Sequence, residues 1–111
     1  MTTPVTVLIP AKIAVASNTT QYTSTLVYTV IDKFTASNYD TVARTIAVNL
    51  VTSGDTAGNQ NLIVPARTLQ AGEVYTFPEL VGASLGPSDF ISTISSNATG
   101  INIRASGRVF S

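Results

Sequence analysis

The sequence predicts an all-β fold: a single-domain antiparallel β-sandwich of eight or nine strands over residues 1–111. Three observations predict it. Apolar and polar residues alternate through most regular segments, the period of a strand with one buried face. Thr, Ser, Val, Ile and Ala dominate, while strong helix formers are sparse. Gly and Asn punctuate the chain at intervals of about 8–15 residues, the rhythm of a sandwich or barrel.

Val5–Ile9 reads as the first strand, bracketed by Pro4 and Pro10. Proline has no N–H for a ladder, so this segment is expected at a sheet edge or as an arm within residues 1–10. Lys12–Ala16 is a second strand, with Ile13 and Val15 on one face, and Ser17-Asn18 is a turn. Tyr22–Val30 is a third, with Leu26, Tyr28 and Val30 on one face and Thr25, Val27 and Thr29 on the other. Ile31–Ser37 continues extended with a bend near Asp32, and residues 38–41 (Asn-Tyr-Asp-Thr) form a self-capping turn. Arg44–Val51 alternates most cleanly: Ile46, Val48 and Leu50 against Thr45, Ala47, Asn49 and Val51.

Ser53–Gln60 is a polar loop, followed by a short strand, Asn61–Val64, stopped by Pro65. Thr68–Gly72 is a turn and Glu73–Phe77 a strand. Pro78–Leu85 is the one plausible helical turn, with Leu80, Val81 and Leu85 as its apolar side. Residues 86–89 turn into a strand over Phe90–Ser95. Residues 97–100 form a hairpin, with Gly100 free to take positive φ. Ile101–Phe110 closes the set, with Ile101, Ile103 and Ala105 on one face and Gly107 marking a bulge. Two packed antiparallel sheets are the natural solution. The pattern leaves jelly-roll and immunoglobulin-like orders open, although no Cys…Trp…Cys frame is present.

The chemistry is sparse. The chain has no His, Cys or Trp, and six acids balance six bases to a net charge of zero. Charged residues are 11% of the chain, well below the roughly 25% of ordinary globular domains. Low charge on a small domain is a solubility liability, met by a surface covered by partners in an assembly, which is the expectation, or by a monomer kept soluble by hydroxyls and amides. The four Arg and two Lys are scattered, which argues against nucleic-acid binding. No run reaches the roughly 18 apolar residues of a membrane span. The start lacks the pattern of a secretory signal, so synthesis in a cytoplasm is expected.

Most acids sit in turn signals, where they cap backbone, and no Ser or Thr has a basic partner for nucleophilic work. The expectation is no catalytic residue, no cofactor and no metal. Asp55 with Asn59 offers oxygens to a cation, but without an EF-hand spacing. The Asn-x-Thr sequons at Asn18 and Asn97 read as Asn-rich turns. Tyr39 stands in a turn tip, where an exposed aromatic suits a contact. The expected partner contacts are therefore Val5, Val7 and Ile9 on the amino-terminal strand, with Tyr39, Asp55 and Asn59 gathered at one end of the sandwich. The strand would add to a neighbour's sheet edge, and deleting residues 1–10 would impair assembly more than folding.

From Tyr28 onward the order of motifs is distinctive. Residues 31–38 read Ile-Asp-Lys-Phe-Thr-Ala-Ser-Asn and residues 40–50 Asp-Thr-Val-Ala-Arg-Thr-Ile-Ala-Val-Asn-Leu. Later segments are Leu62–Leu69, Ala71–Glu73, Phe77–Leu80, Leu85–Asp89 and Ile101–Gly107. This order resembles small virion structural proteins of tailed bacteriophages, β-sandwiches that decorate or connect larger phage parts. Size and composition resemble the capsid decoration (cement or staple) proteins of epsilon-fifteen-like short-tailed phages. The resemblance implies a jelly-roll-like sandwich on the capsid exterior that binds across major capsid protein subunits and stabilises the shell. A tail- or fibre-associated module that connects tail parts or binds a host glycan is the other function it implies. A homo-oligomer is expected, with an isologous dimer as the default.

Overall fold

The computed structural model describes residues 4–25 and 28–110. Nine strands form within them: β1 Thr6–Ile13, β2 Thr19–Thr23, β3 Tyr28–Asn38, β4 Arg44–Val51, β5 Leu62–Leu69, β6 Val74–Thr76, β7 Ser84–Leu85, β8 Phe90–Ser95 and β9 Ile101–Phe110. The first sheet runs β1-β9-β3-β6, with β7 also on β3, and the second runs β2-β8-β4-β5. Every pairing is antiparallel. With the two-residue β7 set aside, the strands alternate between sheets except at the β4–β5 connection. That interleaving is the double Greek key of a jelly roll. It resolves the choice that patterning left open.

The inner faces supply the core. Ile9, Ile31, Phe34, Ile46, Val48, Leu69, Phe77, Leu80, Ile91 and Ile101 are all 0% exposed. Each such side chain contributes about 1.5–3 kcal/mol of transfer free energy. Phe34 and Phe77 meet edge to face at 5.7 Å, and Tyr75 meets Phe77 in the same way at 5.0 Å.

The strands β4, β8 and β9 lie where alternation predicts them. Several others differ for identifiable reasons. The expected strands Val5–Ile9 and Lys12–Ala16 are one strand, because β1 runs through Pro10. Its register against β9 slips between Ile9 and Lys12, so Pro10 falls in the irregularity of an edge strand, where a missing N–H costs little. A second slip, between Val7 and Ile9, turns both Leu8 and Ile9 inward.

The expected strand Tyr22–Val30 is instead two strands in different sheets. The chain leaves β2 after Thr23 and enters β3 at Tyr28; Leu26 and Val27 lie outside the described residues. Ser24, buried at the crossing, hydrogen-bonds its hydroxyl to Thr29 at 2.9 Å. Its backbone is tied to the residue 86–89 turn through Asp89 O and Ser88 N.

β3 is continuous, and the predicted bend is a register slip at Asp32, between the Ile31–Gly107 and Lys33–Ser106 pairs. The irregularity expected at Gly107 is thus carried by the strand opposite. A Cβ on Gly107 would stand 2.1 Å from Val30 O and 2.8 Å from Leu8 Cδ1, so only glycine lets these three strands close.

β5 passes through Pro65 to Leu69, where a stop was expected. It is also an edge strand, and its ladder to β4 slips across Pro65 and Ala66. No helix forms over residues 78–85. The i→i+3 bonds there (Leu80 N to Phe77 O, Val81 N to Pro78 O, Ala83 N to Leu80 O) are interrupted at Gly82, whose φ is +84° and whose N–H donates to Ile31 O of β3. Leu80 and Leu85 are buried as expected, but Val81 is 48% exposed.

Candidate functional site

The outer faces of the two sheets and the two ends of the sandwich are the surfaces available for contact. On the first sheet, residues opposite the core side chains Phe34, Ala36, Ile103 and Ala105 must point outward. They are Lys33, Thr35 and Ser37 on β3, facing Ser106, Arg104 and Asn102 on β9. With Ala11 of β1 they line an open groove of about 310 Å³. Thr35 hydrogen-bonds Thr76 of β6 across the face at 3.2 Å. The exposed apolar residues Val7 and Ile13 flank the groove on β1, and Val74 flanks it on β6.

Lys33 and Arg104 are both exposed and form no ion pair among the described residues. The nearby Arg108 is committed: its guanidinium grips Asp32 through three hydrogen bonds of 2.9–3.2 Å. Those bonds, with the attraction of the same carboxylate, raise the Arg108 pKa above its ordinary value. Among the described residues, no carboxylate lines the groove.

The outer face of the second sheet is partly covered by the chain itself. Ala47, Asn49 and Val51 point away from the inner row of β4, yet all three are buried. Over Asn49 lies the segment that links β4 to β5, which ends in one 3₁₀ turn, Asn59–Asn61. Asn49 Nδ2 donates to Gly58 O at 3.0 Å and to Asn61 Oδ1 at 2.8 Å. Asn61 also accepts from Gly58 N and donates to Thr56 O. Beside this amide knot is a depression of about 260 Å³ lined by Asn18, Ala47, Asn59, Leu62, Pro65 and Ile94, among others.

Asp55 belongs to the knot. Its carboxylate accepts from Thr56 N at 2.8 Å, from Gln60 Nε2, and from Asn61 Nδ2. The Thr56 N–H, then the Gln60 amide, hold its pKa below the usual carboxylate value. Oxygens so occupied by N–H donors are engaged in fixing the loop. Asn59 is exposed beside them. Among the described residues, no group of three Asp or Glu side chains gathers as a cation site.

Tyr39 is 55% exposed at the opposite end. The turn that holds it is rigidly built. The buried Asn38 donates to Val42 O and Leu69 O, both at 2.9 Å, and accepts from Asp40 N. Asp40 then binds the Arg44 guanidinium at 2.8 Å and 3.0 Å. That hydrogen bonding, followed by the Thr41 N–H, lowers the Asp40 pKa.

The expected contact residues are therefore not brought together. β4 begins near Tyr39 and ends at the Asp55 loop, and a strand of 8 residues carries the chain about 25 Å. Tyr39 and the Asp55–Asn59 loop lie at opposite ends, not at one. Val5 (62%) and Val7 (48%) are exposed, but Ile9 is fully buried and unavailable to a partner. The strand expected to join a neighbour's sheet pairs with its own β9 from Thr6 to Ile13 and forms the edge of that sheet, as the edge-strand expectation had it. Removing residues 1–10 would take Leu8 and Ile9 from the core, so folding rather than assembly alone would suffer.

Sequence reasoning missed the groove. Its signal was present in the polar positions 33, 35, 37 and 102, 104, 106, which alternate with core residues. What sequence did not show was that these two rows lie side by side. Comparison of the chain with family models, curated proteins and solved structures found no match.

Proposed function

We propose that this chain is a structural protein of a tailed-phage virion: a decoration protein on the capsid exterior that binds across major capsid subunits and stabilises the shell. The observation that carries the reading is the strand order, β1-β9-β3-β6 over β2-β8-β4-β5. That double Greek key is an architecture of viral capsid domains and lectins, and here it is built on a chain whose motifs resemble phage virion proteins. The surface supports the same role. Charged residues are only 11% of the chain, and a surface with so little formal charge is inexpensive to desolvate against a partner. Repetition over a symmetric shell lets individually weak contacts add up.

The test is made on particles of the phage that encodes the chain. Quantitative mass spectrometry of purified particles should find it in a fixed stoichiometric ratio to the major capsid protein, at many copies per particle. Particles lacking it should release DNA at lower temperature than wild type. A few copies per particle would favour the tail-associated alternative. Its absence from particles, or unchanged heat resistance without it, overturns the shell-stabilising role.

A further inference from the structure

We infer that the groove on the outer face of the first sheet is a docking site for an extended protein segment carrying acidic side chains at alternate positions. The chain's formal charge is zero, yet two of its cations line this groove with no ion pair among the described residues, and the adjacent carboxylate, Asp32, is already held by Arg108. Lys33 is paired across the sheet with Ser106, and Arg104 with Thr35, so the two cations are diagonal neighbours. Diagonal neighbours in a sheet lie about 7–8 Å apart. Alternate residues of an extended chain repeat at about 6.6–6.8 Å and project to the same side. Acidic residues at positions i and i+2 of such a chain match the two cations.

The remaining lining fits the same occupant. Thr35, Ser37, Asn102 and Ser106 are half-buried hydroxyls and an amide, suited to the backbone and polar side chains of a peptide. Val7 and Ile13 on one rim and Val74 on the other offer apolar contact to residues flanking the acidic pair. Among the described lining residues there is no aromatic platform on which a sugar ring could stack, which favours peptide over glycan. The volume of about 310 Å³ sits at the small end of the roughly 300–1,000 Å³ of ordinary ligand sites, enough for a few residues of a longer segment. Only the identity of the partner as a shell protein rests on the decoration role proposed above; the groove's chemistry stands without it.

The test is an amide NMR titration of the full chain at pH 7 and low salt. The probes are a capped peptide of alternating Glu and Thr, a scrambled peptide with its Glu in one block, and trigalacturonate. The alternating peptide should shift amides of residues 33–37 and 102–106 selectively. Its affinity should exceed that of the blocked peptide, fall with added salt, and drop at least about tenfold in the Lys33→Glu/Arg104→Glu double variant. Both side chains are exposed, and an unchanged amide spectrum of the free variant reports that it folds; Lys33→Gln/Arg104→Gln serves if it does not. Shifts that are absent, spread evenly over the surface, or insensitive to either double variant overturn the inference. Tighter binding of trigalacturonate at the same residues overturns the peptide assignment in favour of an acidic glycan. These outcomes are read on the isolated chain, so they stand or fall separately from the particle experiment.

Discussion

The two outer faces of this sandwich solve the same problem in opposite ways. Each must present the back of a four-stranded sheet path to its surroundings. The first sheet leaves polar side chains standing in the open, with Lys33 and Arg104 over a row of hydroxyls and an amide. The second sheet folds its own β4–β5 connection over Asn49 and ties that loop down through side-chain amides and the Asp55 carboxylate. In the groove on the first sheet, Lys33 and Arg104 form no ion pair among the described residues. On the second sheet, the amides of Asn49 and Asn61 are used internally, and they do structural work.

The largest expected effect tests where the faces of β1 divide. Ile9→Ala should lower stability by about 2–5 kcal/mol, since it empties a fully buried site. Val7→Ala, two residues away and on the outer face, should stay within about 0.5 kcal/mol. Urea unfolding of both variants measures the difference. Equal effects would mean that β1 does not divide its faces as described.

A middle-sized effect compares amide with amide across the two sheets. Asn49→Ala should cost about 1–3 kcal/mol, because Gly58 O and Asn61 Oδ1 lose their donor beneath the loop. Asn102→Ala, on the open groove, should cost no more than about 0.5 kcal/mol. Hydrogen exchange should show residues 54–61 opening faster in the Asn49 variant alone. Comparable losses for both would remove the distinction between a covered face and an open one.

The smallest effect is acid sensitivity. Asp40 and Asp55 are both held below the ordinary value of 3.8 in the folded chain. Each binds its proton more weakly folded than unfolded, so the stability it contributes is present above that value and fades as pH falls through the folded values. Urea midpoints should therefore drop below about pH 4, and Asp55→Asn should flatten part of the drop. The Asp55 share should appear as loosening of the loop on the second sheet. An unaltered profile in the variant would show that the knot does not depend on the carboxylate charge.

Much of this molecule was legible in sequence. Alternation located β4, β8 and β9, and it separated Ile101, Ile103 and Ala105 from Asn102, Arg104 and Ser106. The same reading went astray wherever a local signal had a non-local answer. Pro10 and Pro65 read as strand stops, yet both are passed because they fall in slipped registers on edge strands. Tyr22–Val30 read as one strand because an alternating pattern does not reveal where a chain crosses from one sheet to the other. Ile9 read as a contact residue because an edge strand or arm of regular alternation would keep it on the face of Val7, whereas the slip between Val7 and Ile9 turns it into the core.

By itself the sequence determined the all-β class, several of the turns, and the side on which residues fall in the strands of unbroken register, such as residues 101–105 of β9. Period-two alternation and turn chemistry are local properties, carried by residues a few positions apart. Tertiary structure alone decided which strands became neighbours. It set β3 beside β9, more than sixty positions later, and so placed Lys33 and Arg104 on one groove. It also placed Tyr39 and Asp55 at opposite ends of β4. Pairing of distant strands depends on how all the inner faces close a single core, and no short stretch of chain contains that information.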